Sequence, residues 1–108
     1  MLFNTIYDSL FNAGVVASQS ELSELFGMKQ NYVSSRKAKN EQPSVTALMT
    51  LWLELDEIQK EFHAFVKSGE TPTTEEWAAN AEIFILRNAI WEEIRSTLLL
   101  RKKCPGAQ

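Results

Sequence analysis

A single cysteine, Cys104, and a single histidine, His63, are the only thiol and imidazole in the chain. An intramolecular disulfide is excluded, and no Cys-x-x-Cys or clustered-histidine metal spacing exists. Cys104 stands beside Pro105 and Gly106, where a tail over residues 104–108 is expected, so it makes no nucleophile–base pair with His63. His63 lies among Phe62, Phe65 and Val66 and reads as a boundary residue. With four glycines and no glycine-rich run there is no phosphate-cradling loop, and carboxylates adjacent in a helix, such as Glu75 and Glu76, point in different directions. An enzyme is not expected, nor is a cofactor. No apolar run approaches the roughly 20 residues that span a bilayer, and residues 1–14 lack the basic start of a secretory signal. The expectation is a cytoplasmic protein with no membrane partner.

What the chain does have is enough apolar content, 44% of 108 residues, for the core of one compact domain or of a small domain with an extra helix. Its formal net charge of −3 argues at first against a polyanionic partner. The arrangement of that charge argues otherwise. Residues 28–42 hold Lys29, Arg36, Lys37 and Lys39 against Glu41 alone, and residues 83–108 also carry an excess of three positive charges, while the rest is acidic. A local patch can engage phosphate on an acidic molecule because charges more than about 8–10 Å away are largely screened at physiological salt.

Apolar periodicity predicts four or five helices and no strand, an all-α chain. Leu2, Phe3, Ile6, Tyr7, Leu10 and Phe11 mark a first helix that Gly14 can end. Ser18 and Glu21 have capping-box spacing for a short second helix with Leu22, Leu25 and Phe26, and Gly27 allows a tight turn after it. A third short helix is expected over 30–38, mostly polar, with Tyr32 or Val33 inward. Pro43 and Ser44 open a fourth, whose stripe of Val45, Leu48, Met49, Trp52, Leu55, Ile58, Phe62 and Phe65 or Val66 either runs unbroken or breaks near Asp56. Residues 67–73 read as a linker between a unit at 1–66 and a long helix at 74–103, whose start is marked by the Thr73 and Glu76 capping box. On that helix Trp77, Phe84, Trp91 and Leu98 lie seven apart, and Ile83, Leu86, Ile90 and Ile94 form a second stripe. So wide an apolar surface needs a second partner beside the N-terminal unit, and the first row reads as core or dimer seam. Glu92, Glu93 and Arg95 read as a solvated face.

Two short helices about a glycine turn, the second polar and basic, have the arrangement of a helix-turn-helix reader, in which the first helix holds the second against the core. Gln30, Asn31, Ser34 and Ser35 are short polar groups suited to base edges or phosphates, and Lys29, Arg36, Lys37 and Lys39 can neutralise phosphates around them. Residues 19–34, with Gln19, Leu22, Ser23, Phe26-Gly27-Met28, Gln30 and Val33-Ser34, followed nine residues later by Pro43-Ser44, resemble the lambda-repressor-like (Cro/C1, XRE-type) helix-turn-helix family. The resemblance covers roughly residues 1–66. It implies that Gln19 meets a phosphate, Gln30 reads a base, Asn31 and Ser34 contact base or backbone, and Val33 is core. Ser23 departs from the family's usual Ala, Lys29 from its capping Ser or Thr, and Lys37 and Lys39 from its common Glu and Gly.

The expectation is a sequence-specific regulator of transcription, a repressor or autoregulator. It binds double-stranded DNA as a homodimer, paired through Trp77, Phe84, Trp91 and Leu98 so that two third helices meet successive major grooves. The alternative is a protein-interaction module, such as an antitoxin or accessory subunit, on a helix-turn-helix scaffold, with a protein partner.

Overall fold

The computed structural model describes residues 2–103; the tail at 104–108, with Cys104, lies outside the described residues. Five α-helices follow one another, α1 Leu2–Asn12, α2 Gln19–Leu25, α3 Tyr32–Ala38, α4 Val45–Lys67 and α5 Thr74–Lys103, and no strand occurs among the described residues. The chain is all-α.

Helix α1 buries Phe3, Ile6 and Leu10, one from nearly every turn. It ends where Gly14 takes a φ of 76°, which returns the Val15 N–H to the Leu10 carbonyl at 2.9 Å. Phe11, counted in the inward stripe by spacing, is 53% exposed and instead stacks on Tyr7 with ring centroids 5.8 Å apart. Helix α4 runs unbroken past Asp56, with Ala47, Leu48, Leu51 and Leu55 buried; Met49 and Phe65 of the expected stripe face outward. Its start is capped by Ser44, whose Oγ accepts the Ala47 N–H at 3.2 Å.

Helix α5 begins in a reciprocal capping box: Glu76 N–H donates to Thr73 Oγ1 at 3.1 Å and Thr73 N–H to Glu76 Oε1 at 3.0 Å. The helix packs on α4 and α1. Ile83, Leu86, Ile90 and Ile94 are buried in one core with Phe3, Ile6, Leu22, Leu51 and Leu55. Each such side chain contributes about 1.5–3 kcal/mol by burial, so α5 is a structural part of the N-terminal unit. Asp56 of α4 is bonded to Arg87 of α5 at 2.7 Å and to Lys60 at 3.1 Å. Trp77, Phe84, Trp91 and Leu98 remain 49%, 48%, 50% and 46% exposed along the α4 side of α5. There Trp77 meets Phe62 edge-on at 5.1 Å and Trp91 meets Trp52 at 5.8 Å. No helix among the described residues is long and apolar enough to cross a membrane.

Candidate nucleic-acid interface

The basic segment 28–42 is held between α2 and α4. Helix α2 starts at Ser18, whose Oγ accepts the Glu21 N–H at 3.2 Å, and Glu21 Oε2 in return accepts the Ala17 N–H at 3.1 Å. It ends at Gly27, with a φ of 73°; a Cβ there would stand 3.1 Å from Thr50 Cγ2 of α4. The left-handed backbone favours glycine, and a side chain there would in addition have to displace the Thr50 methyl by a few tenths of an ångström.

Helix α3 begins at Tyr32, two residues later than the spacing predicts, with Gln30 and Asn31 in the preceding turn. Asn31 is its N-cap residue, but φ −91° and ψ 5° are not the extended values that bring a capping side chain onto the helix amides, and its side chain makes no cap bond. The missing acceptor comes from α2. The buried Ser23 Oγ accepts the Val33 N–H at 3.0 Å and donates to the Gln19 carbonyl at 2.9 Å. Two departures from the resembled family, serine at 23 and no local cap at 29, thus form one device: the cap is supplied in trans by the neighbouring helix.

Tyr32 fixes the other side. Its ring meets Phe3 and Phe26 edge-on at 6.1 and 5.8 Å, and its hydroxyl accepts the Ser44 N–H at 3.0 Å, tying α3 to the start of α4. Helix α3 closes with Asn40 at φ 56°, where the Asn40 N–H reaches the Lys37 carbonyl at 3.0 Å and the Glu41 N–H reaches the Arg36 carbonyl at 2.9 Å. This is a Schellman ending with asparagine in the left-handed position, one residue after Lys39.

The sequence-predicted residues divide into two groups. Gln19, Lys29, Gln30, Asn31, Ser34, Ser35 and Lys39 are exposed, and Lys37 is half-buried. Gln30 Nε2 donates to Glu24 Oε1 at 3.2 Å, which folds that side chain back on α2, and Ser34 Oγ donates to the Asn31 carbonyl at 3.2 Å. Arg36 differs. Its Nη2 and Nε donate to the Gln42 carbonyl at 2.6 and 3.2 Å, its Nη1 lies 3.3 Å from Glu41 Oε2, and its guanidinium covers the Tyr32 ring at 5.6 Å. Arg36 is therefore a brace of the α3–α4 loop. With Arg36 and Glu41 neutralising each other, the segment's excess of three positive charges rests on Lys29, Lys37 and Lys39, which make no ion pair among the described residues.

One cation escaped the sequence reading. Arg101, in the last turn of α5, lines the same cleft of about 490 Å³ as Arg36, Glu41, Gln42, Ser44 and Glu93. The two basic stretches, far apart in sequence, meet at one end of the molecule. The positive excess of residues 83–108 was the available signal, but nothing local says where α5 ends relative to α3.

No group of three or more metal-ligating side chains occurs among the described residues. No curated protein and no solved structure matches the chain. A family model, described as a family of unknown function (DUF6626), matches residues 3–99, a span that includes the α2–α3 unit and the aromatic row of α5. The chain belongs to the family of unknown function DUF6626.

Proposed function

We propose that the protein is a sequence-specific DNA-binding regulator of transcription, a repressor or autoregulator of lambda-repressor-like type, working in the cytoplasm without catalysis or cofactor. The observation that carries this reading is the outward surface of α3 and its entry turn. Asn31, Ser34 and Ser35 stand exposed among Lys29, Lys37 and Lys39, on a short helix anchored from behind by Ser23, Val33 and Tyr32. An α-helix fits the major groove, where each base pair presents a distinct donor and acceptor pattern. The lysines neutralise flanking phosphates, Arg101 adds a phosphate contact from α5, and Gln19 adds one from the start of α2. Gln30 leaves Glu24 to reach a base edge.

Selection from random duplexes, followed by a mobility shift on the DNA upstream of the protein's own gene, tests the reading. A recovered consensus is expected, and Asn31→Ala with Gln30→Ala relaxes preference at one or two of its positions. A selection with no preference overturns it. A second reading, a protein-interaction module, is favoured by Ile85, Leu99 and Leu100, exposed apolar residues of α5 outside the aromatic row. A shift on DNA without a co-purifying partner decides against it.

A further inference from the structure

We infer that the aromatic row of α5 is covered by the same row of a second copy running in the opposite direction, giving an antiparallel α5–α5 homodimer flanked by the two α4 helices.

The face is too apolar to be a solvated surface. Trp77, Phe84, Trp91 and Leu98 each stay about half exposed after α5 has buried its own core stripe. Helix α4 extends the patch with Trp52, whose ring meets Trp91 at 5.8 Å, and the same helix leaves Met49 and Leu53 49% and 59% exposed. All three tryptophans of the chain, Trp52, Trp77 and Trp91, are in this patch. Aromatic concentration is the composition of an interface core, and the one cation that crosses the patch, Arg87, lies over the Trp52 and Phe84 rings at 5.6 and 5.7 Å.

The charge along α5 selects the occupant and its polarity. Before Arg87 the helix carries Glu75, Glu76 and Glu82 and no cation; Glu92 and Glu93 follow, the first paired with Arg95 at 3.8 Å, and the last turn carries Arg101, Lys102 and Lys103 and no carboxylate. Two parallel copies bring acidic end to acidic end and basic end to basic end. Reversal brings each acidic start to the partner's basic end and also opposes the helix macrodipoles. The row is self-complementary under that reversal: the two-fold falls between Phe84 and Trp91, Phe84 meets the second copy's Trp91, and Trp77 meets its Leu98. Near the two-fold stand Asn88 and Arg87, the latter already neutralised by Asp56 at 2.7 Å.

The dimer itself stands whether or not the chain binds DNA. One consequence rests on the proposed reading of α3. Arg101 is about 20 Å along α5 from the two-fold, so the two Arg36–Arg101 clefts lie about 40 Å apart along the helix, near the roughly 34–36 Å between successive major grooves. A parallel dimer brings them to the same end.

The test needs no DNA. Light scattering across a dilution series is expected to show dimer giving way to monomer, with tryptophan fluorescence shifting to the red as the seam opens. Trp91→Glu is expected to weaken self-association by about 30-fold or more, as loss of a central interface aromatic does, and circular dichroism checks that it remains folded. Cross-linking reads the polarity from exposed positions whose substitution spares the core. In a Cys104→Ser background, Asn88→Cys is expected to give a disulfide-linked dimer on oxidation. Ala81→Cys and Arg95→Cys alone stay unlinked, because their copies are about 20 Å apart, and link when mixed. A chain that stays monomeric at every concentration, with or without another protein on the row, overturns the proposal. So does self-linking of Ala81→Cys, the mark of a parallel pair. If the dimer is found and no duplex is selected, the reading of α3 fails and the dimer stands.

Discussion

The Ser23 hydroxyl accepts the Val33 amide of α3 at 3.0 Å from a fully buried position, while the exposed Asn31 at the N-cap of that helix makes no capping bond. The two positions are therefore expected to behave in opposite ways. Ser23→Ala leaves a buried N–H without a partner and costs about 1–3 kcal/mol, seen as a lower urea midpoint. Asn31→Ala changes stability by no more than about 0.5 kcal/mol, the usual range for a surface substitution, and acts on DNA binding instead. Equal destabilisation by both would mean that α3 is capped locally.

At Gly27 two penalties coincide and separate experimentally. The φ of 73° disfavours any Cβ, and the Cβ itself would press on Thr50 Cγ2 at 3.1 Å. Gly27→Ala is expected to cost about 1–2 kcal/mol from the left-handed backbone alone, with a further steric loss. Thr50→Ser removes the obstructing methyl, so Gly27→Ala with Thr50→Ser recovers the steric part only. Full recovery in thermal denaturation would show that the backbone angle is without cost.

These two devices mark the boundary of what the sequence makes legible. The caps of α2, α4 and α5 are local: Ser18 with Glu21, Ser44 with Ala47 and Thr73 with Glu76 lie three residues apart, so spacing announces each. The division of α5 into a buried stripe and an exposed row is legible for the same reason, since both repeat along one helix. The start of α3 is not, because its capping oxygen comes from ten residues upstream and depends on how α2 packs. Arg36 looks like one more phosphate-binding cation until the loop folds its Gln42 carbonyl onto the guanidinium. The meeting of Arg101 with that loop is a property of the α4–α5 pairing, and no short-range pattern encodes it.

Arg36 and Lys39 carry the same charge in adjacent turns of the chain and are expected to fail differently. Arg36→Ala removes the bonds to Gln42, the ion pair with Glu41 and the cover over Tyr32, so its first effect is a lower melting temperature. Lys39→Ala leaves melting unchanged and weakens binding to all duplexes alike, lowering the slope of log affinity against log salt by about one. Arg101→Ala is expected to follow Lys39→Ala. A melting loss for Lys39→Ala, or an unchanged salt slope, would remove that lysine from the phosphate-facing set.

The joint between α4 and α5 is expected to weaken in acid. The Lys60 ammonium, hydrogen-bonded to Asp56, holds that carboxyl below its ordinary 3.8; burial opposes the shift, and the charge of Lys60 and the Arg87 guanidinium add to the lowering. A carboxyl whose folded value is depressed binds its proton more readily when unfolded. Its stabilising contribution is therefore present above 3.8 and is lost as pH falls through the lower folded value. Lys60 is raised above its ordinary 10.5 by the same hydrogen bond, so its contribution is present below 10.5 and is lost as pH climbs through the raised value. Asp56→Asn is accordingly expected to melt below the wild type at neutral pH, with the gap closing as pH drops beneath 3.8. Lys60→Met preserves the Arg87 bond and is expected to show a smaller gap. Melting curves of the three proteins between neutral pH and strong acid check this, and a gap that persists unchanged in acid would show that Asp56 acts through its shape and not its charge.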